Sequence, residues 1–413
     1  MEVEIITIGD EVITGHTVDT NAAYIATRLV DSGFIVRYRT SVGDNAEDME
    51  EAFRLALKRV DVVITTGGLG PTDDDITKRS VVKVFKRNLI FHEDLLEDIR
   101  ARYAKRGIDM PAINQNQALL PQGATFFPNK NGSAVGICIA EQGKVFVALP
   151  GVPFEMAQIL DDDVIPYLQG MSNREVIAVR KLRTTGIVES RLAEMLVGGL
   201  KLEPGVRLAY LPGYRGVDLR VIAGGESKEE TETKVRNLMR YLESVAGKYI
   251  YGYDDDTLEA ILGQLLKDND RTLAVAESCT GGLLGAVLTS VPGSSAYFLG
   301  GIQAYTNNVK MSELNVPLEV IEQHGAVSEE CAIAMAAGCR ERFESDFAIA
   351  ITGIAGPDGG TEEKPVGTVW VGIASAHNKR ARLFKLGGQR SVIRERSVYA
   401  AMELLRREIL DIQ

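Results

Sequence analysis

The chain has 413 residues, 45% of them hydrophobic and 25% charged, and carries a formal net charge of −11 at pH 7. That length exceeds one ordinary core and predicts two or three domains. The acidic balance argues against a nucleic-acid binder, whose affinity rests on basic patches. No apolar run approaches the roughly 20 residues of a membrane span. The start, Met1-Glu2-Val3-Glu4, is acidic and strand-like, with no leader pattern. Cys138, Cys279, Cys331 and Cys339 lack CxxC spacing, so zinc and disulfide frameworks are not expected. A cytoplasmic protein with reduced thiols is the expectation.

In chain order, Ile5–Ile8 reads as a buried strand that ends at Gly9-Asp10-Glu11. A helix over 22–31 with Asn21 as N-cap, a strand over 34–39, a helix over 47–58 and a strand over 60–65 follow. Strand-helix-strand repeats of this length predict a parallel sheet, with ligands beyond the carboxyl ends of its strands. Gly9-Asp10-Glu11 and Gly67-Gly68-Leu69-Gly70 both occupy that edge. Past Pro166–Ser172 the pattern changes to a small α+β module, with strands over 175–182, 206–211 and 217–223 and helices near 189–196 and 228–246. Ser227 and Glu230 form a capping box for the second of these helices. Gly213-Tyr214-Arg215-Gly216 is formally a GxxG, but it lies between two predicted strands and reads as a hairpin turn. Tyr251–Asp256 reads as a linker. Beyond it, strands over 273–276, 301–305, 347–352 and 369–374 alternate with helices near 258–267, 281–290, 328–341 and 392–412. The boundaries expected are 1–170, 171–252 and 253–413.

The most informative stretch is Ala276-Glu277-Ser278-Cys279-Thr280-Gly281-Gly282, directly after an apolar strand. A strand that opens into a helix through small hydroxylated residues sets a nucleophile beside unpaired backbone N–H groups, as acyl transfer requires. Ser278 is the candidate nucleophile, and it needs a base. Lys310 is preferred for that role because a buried lysine can lose its proton near neutral pH; His324 is the alternative base. Cys279 is the rival nucleophile. Thr280 is either the N-cap of the next helix or a substrate contact, and Gly281 and Gly282 allow close approach of a ligand. Thr352 ends a strand and opens the Gly353–Gly360 loop, whose length and polarity suit binding, while Arg390 near a helix start suits a phosphate. Together these residues point to an amidohydrolase that uses no metal at this end of the chain.

In the first half, Gly67, Gly68 and Gly70 present backbone N–H groups to a phosphate, with Thr72 able to cap the helix behind them. Neither a Walker A loop nor a GxGxxG fingerprint is present. Asp73, Asp74 and Asp75 read either as favourable first-turn charges or as hard-cation ligands, which Asp10 and Glu11 could complete. Asn131, in a later Gly-rich loop, joins the phosphate set. Glu155 is either a ligand-facing carboxylate or a first-turn charge.

Through AESCTGG at 276–282, HGAVS at 324–328 and TGIAGPDGGTEEKPVGTVW at 352–370, the chain resembles the CinA (competence/damage-inducible) proteins and their stand-alone deamidase relatives over nearly all its length. Through GDE at 9–11 and TTGGLGPTDDD at 65–75, its first half resembles the molybdopterin-binding fold. The resemblance implies an α/β protein with three parts: a molybdopterin-binding-like parallel-sheet domain, a KH-like α+β module and an α/β amidase domain. It implies hydrolysis of nicotinamide mononucleotide to nicotinic acid mononucleotide and ammonia, with Ser278 as nucleophile and Lys310 as base. Glu277, Cys279, Thr280, Gly281, Gly282, Tyr305, Thr352, Gly353 and Arg390 are then expected around the substrate. For the first half it implies a pyrophosphatase that cleaves ADP-ribose to AMP and ribose 5-phosphate with a divalent metal ion, for which Asp10, Asp74, Asp75 and Glu155 are the expected ligands. The alternative is a molybdopterin- or nucleotide-binding sensor in which only the C-terminal amidase is active. A homodimer is expected, with small nucleotides and neither membrane nor nucleic acid as partners.

Overall fold

Alternating apolar residues in the first strand, β1 (Glu2–Ile8), feed two different cores: Val3 and Ile5 pack with Leu29 and Val147, whereas Ile6 and Ile8 pack with Phe53 and Phe146. A strand buried on both faces needs helices on both sides, which is the α/β layering the sequence predicts. The structure, a computed structural model, describes residues 1–72, 75–105, 107–171 and 176–412. Its chain divides into two compact units, Met1–Val179 with Gly224–Glu232 and Arg180–Ala223 with Thr233–Gln413.

The first unit continues with β2 (Ile35–Val42), β3 (Val62–Thr66), β4 (Leu89–Phe91), β5 (Leu119–Pro121), β6 (Thr125–Phe127), β7 (Gly136–Glu141) and β8 (Lys144–Leu149). Six strands form one sheet in the order β2-β1-β3-β8-β7-β6, and β4 and β5 pair separately. The first four of that order run parallel, while β7 and β6 are antiparallel. The reversal follows from a two-residue turn at Gln142 and Gly143, both with φ above 50°, which suits a tight hairpin. Helix Thr20–Asp31 is capped by Asp19, whose carboxylate accepts the Ala22 N–H at 2.8 Å, and not by Asn21. Asn21 lies inside the helix, and its amide donates to Thr66 Oγ1 at 3.0 Å and to the Gly151 carbonyl at 2.8 Å. Asp19→Ala is expected to lower unfolding free energy by about 1 kcal/mol, read as a shift of the denaturant midpoint.

The middle sheet holds β9 (Val176–Thr184), β10 (Val206–Pro212), β11 (Val217–Gly225) and β12 (Ile250–Tyr253), in the order β10-β11-β9-β12. The expected beginning of β9 at Glu175 lies outside the described residues. β10 and β11 are joined by the Gly213–Gly216 turn, closed by Gly213 N–H to the Gly216 carbonyl at 2.8 Å, as its position between two strands predicts. Ser227 accepts the Glu230 N–H at 3.2 Å, and the Glu230 carboxylate accepts from Glu226, one residue earlier than a standard capping box. Tyr251–Asp256 is not a free linker: its first half belongs to β12, which pairs with β9. Arg406, 2% exposed, ties this sheet to the last helix by donating to the Lys248 and Ile250 carbonyls while its charge is met by Glu403.

The C-terminal sheet comprises β13 (Leu273–Glu277), β14 (Phe298–Gln303), β15 (Phe347–Gly353), β16 (Thr368–Ala374) and β17 (Lys379–Lys385), in the order β14-β13-β15-β16-β17. β14, β13 and β15 are parallel, so Gln303, Glu277 and Gly353 end on one edge. The site assembles there. No helix among the described residues is long and apolar enough to cross a membrane.

Candidate active site

Ser278 follows the last residue of β13 and is fixed by its N–H, which donates to the Ile351 carbonyl at 2.9 Å. Lys310 enters from helix Asn307–Leu314, capped by Thr306, which brings the side chain back toward the strand edge. Its Nζ lies 3.1 Å from Ser278 Oγ, and it donates to the carbonyls of Ala304 at 2.8 Å and Tyr305 at 3.2 Å. Ser278 is 8% exposed and Lys310 only 1%. Burial pulls the ammonium below the ordinary lysine value, only partly countered by the neighbouring Cys331 and Cys279. In the neutral amine the two carbonyls claim two N–H bonds, and the lone pair then faces the serine hydroxyl. That is the geometry of a general base on its nucleophile.

Beyond Ser278 the chain turns through Gly281 and Gly282, at φ 60° and 93°, into the short helix Leu283–Thr289. Gly282 is its N-cap, so Thr280 is not; the Thr280 hydroxyl is buried without a hydrogen-bond partner among the described residues. The N–H groups of Cys279 and Thr280 have no acceptor among the described residues. Gly282 N–H is not free in this way. It donates to Glu277, whose carboxylate also takes Leu284 and Gly285 at 3.0 and 2.8 Å. Glu277, expected around the substrate, is thus occupied in holding this turn. Arg394, which the sequence reading passed over, donates from Nε and Nη2 to the Thr280 carbonyl at 3.3 and 2.6 Å. Its spacing of four from Arg390 on a helix is the signal that could have found it.

Cys279 is 7% exposed, and burial pushes its thiol up to about 11, which leaves it protonated and a poor nucleophile. His324 ends helix Leu318–His324, and its ring pairs with Glu330 at 3.4 Å; it makes no bond to Ser278 or Lys310. Ser328 caps the next helix as the sequence predicts. Thr352 Oγ1 donates to the Ala326 carbonyl at 2.6 Å and so joins the β15 edge to the loop of residues 324–328. Arg390 donates to the Gly356 carbonyl at 2.7 Å and to the hydroxyl of Tyr305, a 60%-exposed ring, at 3.3 Å. Gly353 ends β15 beside them.

In the first unit, β1, β3 and β8 end together, and Gly67 sits at φ 113° where a Cβ would lie 2.2 Å from the Ile8 carbonyl oxygen. Only glycine fits there. Gly68 and Leu69 keep N–H groups without acceptors among the described residues, whereas Gly70 N–H is taken by Asp75 at 2.7 Å. Asp75 also accepts the Thr72 N–H at 3.0 Å and the Thr72 hydroxyl. Thr72 therefore clamps the loop and caps no helix; the helix behind it is Thr77–Val84. Buried Lys78, drawn down to about 8 by desolvation, braces the loop from below through the Asn116 carbonyl and Gln117.

Of the expected metal set, the described members Asp10, Asp75 and Glu155 do not share one site. Asp74 lies outside the described residues. Asp10 accepts from Asp44 N–H at 3.0 Å, Asp75 closes its own loop, and Glu155 accepts from Asn129 at 2.6 Å. Among the described residues no three His, Cys, Asp or Glu side chains are placed to hold one ion. Each of these carboxylates has backbone or amide donors close by in sequence or fold, which satisfy it without a cation. Asn131 is exposed, and the fully buried Asn129 organises its loop by accepting the Asn131 and Gly132 N–H groups.

A parallel-edge α/β unit with a glycine loop, joined to a second with a buried Ser–Lys pair, is matched by three family models. The "Probable molybdopterin binding domain" covers residues 4–170, the "Damage-inducible protein CinA KH domain" residues 179–252, and the "CinA C-terminal domain" residues 255–409. A CinA-like protein of Gemmatimonas aurantiaca is 45% identical over 411 residues, 98% of this chain and 96% of its own. One from Dictyoglomus thermophilum is 39% identical over 412 residues, the whole of both chains. A crystal structure of a competence-damaged protein (CinA) superfamily protein from Klebsiella pneumoniae is 31% identical over 37% of this chain and 96% of that one, with TM-score 0.37. The chain belongs to the CinA family.

Proposed function

We propose that the C-terminal site is a serine amidohydrolase for the carboxamide of a nicotinamide nucleotide, nicotinamide mononucleotide being the substrate that the family resemblance implies. The observation that carries this reading is the 3.1 Å contact between Lys310 Nζ and Ser278 Oγ in a buried setting. Neutral Lys310 takes the hydroxyl proton as Oγ attacks the amide carbon. The oxyanion forms against the N–H groups of Cys279 and Thr280. Lys310 then returns the proton to the leaving ammonia, leaving an ester on Ser278. Water, deprotonated by the same amine, releases the carboxylic acid. The Arg390–Tyr305 pair lies where a phosphate and a ring could be held.

Ammonia release from nicotinamide mononucleotide by the full chain, with an acyl adduct trapped on Ser278, is the test. Cys279→Ala is expected to keep activity within about threefold, since its thiol is protonated and only its N–H is used. Loss of activity in that variant with retention in Ser278→Ala would reassign the nucleophile.

For the first unit, the amides at Gly68 and Leu69, without acceptors among the described residues, support a bound phosphate. The resemblance carries ADP-ribose hydrolysis with it. The engagement of Asp10, Asp75 and Glu155 in hydrogen bonds with protein donors favours the second reading, in which a nucleotide is bound and not cleaved. AMP release from ADP-ribose that requires an added divalent cation would select hydrolysis; tight binding without AMP would select the sensor.

A further inference from the structure

A cavity of about 610 Å³ lies within the second unit, between the β10–β11 turn on one wall and β17 with the last helix, Arg390–Ile409, on the other. None of the amidase residues lines it. Four cationic side chains do besides Arg407, which is paired with Glu403: Arg215, Arg382, Lys385 and Arg396. None of the four forms an ion pair among the described residues. Of the two carboxylates in the lining, Glu189 and Glu403, Glu403 is engaged by Arg406 and Arg407 at 2.7 Å each. In a chain of net charge −11, a concave surface with four cations outside any ion pair among the described residues is a local exception.

The cations are held by rings and carbonyls instead of carboxylates. The Arg215 guanidinium lies 4.9 Å from the centre of the Tyr399 ring, and Arg396 lies 5.7 Å from that of Tyr214 while donating to the Gly387 carbonyl at 3.0 Å. Stacking on aromatic faces orients a guanidinium without neutralising it, and so keeps its forked N–H donors available to an oxyanion. Tyr214, 57% exposed, leaves ring surface for a planar group. The volume suits a small ligand.

We infer that this cavity is a binding site for a nucleotide, its phosphate held by Arg382, Lys385 and Arg396 and its base placed against Tyr214. A single-stranded nucleic acid is the poorer occupant. The Gly213–Gly216 turn joins two strands and does not lie between two helices, and the last helix lines the opposite wall.

Photolabelling of the full chain with 8-azido-AMP, followed by peptide mapping, tests this. Label is expected on the peptide carrying Tyr214 or Tyr399. It should be displaced by AMP and fall at least about tenfold in Arg382→Gln/Arg396→Gln, the loss of one to two charge-assisted contacts. Tyr214→Ala, which leaves every charge in place, should weaken labelling as well and guards against a misfolded double variant. Label confined to other peptides, or undiminished by these substitutions, overturns the site. Displacement by inorganic phosphate as readily as by AMP overturns the nucleotide assignment in favour of a bare anion, and stronger displacement by single-stranded RNA overturns it in favour of a polymer. The outcome is independent of the amidase reading, because Ser278 and Lys310 take no part in it.

Discussion

Lys310→Met is expected to reduce ammonia release by about 10³-fold or more while leaving substrate affinity within a few-fold, because a positioned base contributes on the order of 10²–10⁴ and this one serves both half-reactions. Methionine has similar length and tolerates burial, so the fold should survive the loss of a side chain that is 1% exposed. The pH profile of the wild type gives an independent readout. Only the neutral amine can accept the serine proton, so the rate should rise with pH and level off as Lys310 loses its proton. Burial places that midpoint below the ordinary 10.5. Below the midpoint the ammonium donates to Ser278 Oγ and attack is blocked. Lys310→Arg should be as inactive as the methionine variant at every pH, since a guanidinium does not deprotonate in this range. A profile flat from pH 6 to 10, or substantial turnover by Lys310→Met, would remove the amine from the chemistry.

How much of this was legible in the sequence differs between the two halves. β13 and the Ser278 turn could be read because a short apolar run ending in small polar residues has few other meanings. Helices Glu329–Phe343 and Leu258–Asp268 carry strong caps, Ser328 and Thr257, and were placed within a few residues. β17, Lys379–Lys385, was not seen. It is an edge strand in which four of seven residues are cations, and such strands mask their β character with charge. Helix Asn307–Leu314, which delivers Lys310, was also missed because its eight residues have no clear apolar face. The pairing of Lys310 with Ser278 therefore rests on residue type and on the family resemblance, and only the folded chain shows the element that makes it. In the first unit the acidic residues leave two readings open for a definite reason. An aspartate three residues beyond a Thr has the spacing to close a loop on itself, as Asp75 does on Thr72, and composition cannot distinguish that from a ligand. Asn129 and Lys78 escaped notice because buried polar residues that organise loops carry no motif.

Glu277 offers the second large effect, through packing that bears on catalysis. Its side chain is buried within the β13–helix turn and accepts three backbone N–H groups, from Gly282, Leu284 and Gly285. Replacement by alanine strands those donors in a dry environment, for which about 2–4 kcal/mol of lost stability is expected. Glu277→Gln is the sharper probe. It keeps the volume, but one carboxylate oxygen becomes an amide NH2 that faces a backbone N–H, donor against donor. The turn must then shift to relieve the conflict. Cys279 and Thr280, whose N–H groups would meet the oxyanion, lie between Glu277 and the amides it holds. A positioning role thus predicts a fall of about 10²-fold in kcat, with a smaller change in KM, alongside the lowered denaturation midpoint. A purely structural role would lower the midpoint and leave kcat per folded molecule unchanged. Arg394 grips the same turn from the other side through the Thr280 carbonyl, so Arg394→Lys should move kcat in the same direction with less effect on stability. If Glu277→Gln turns over as the wild type does, the orientation of the turn is set elsewhere, and the proposed donors lose their physical basis.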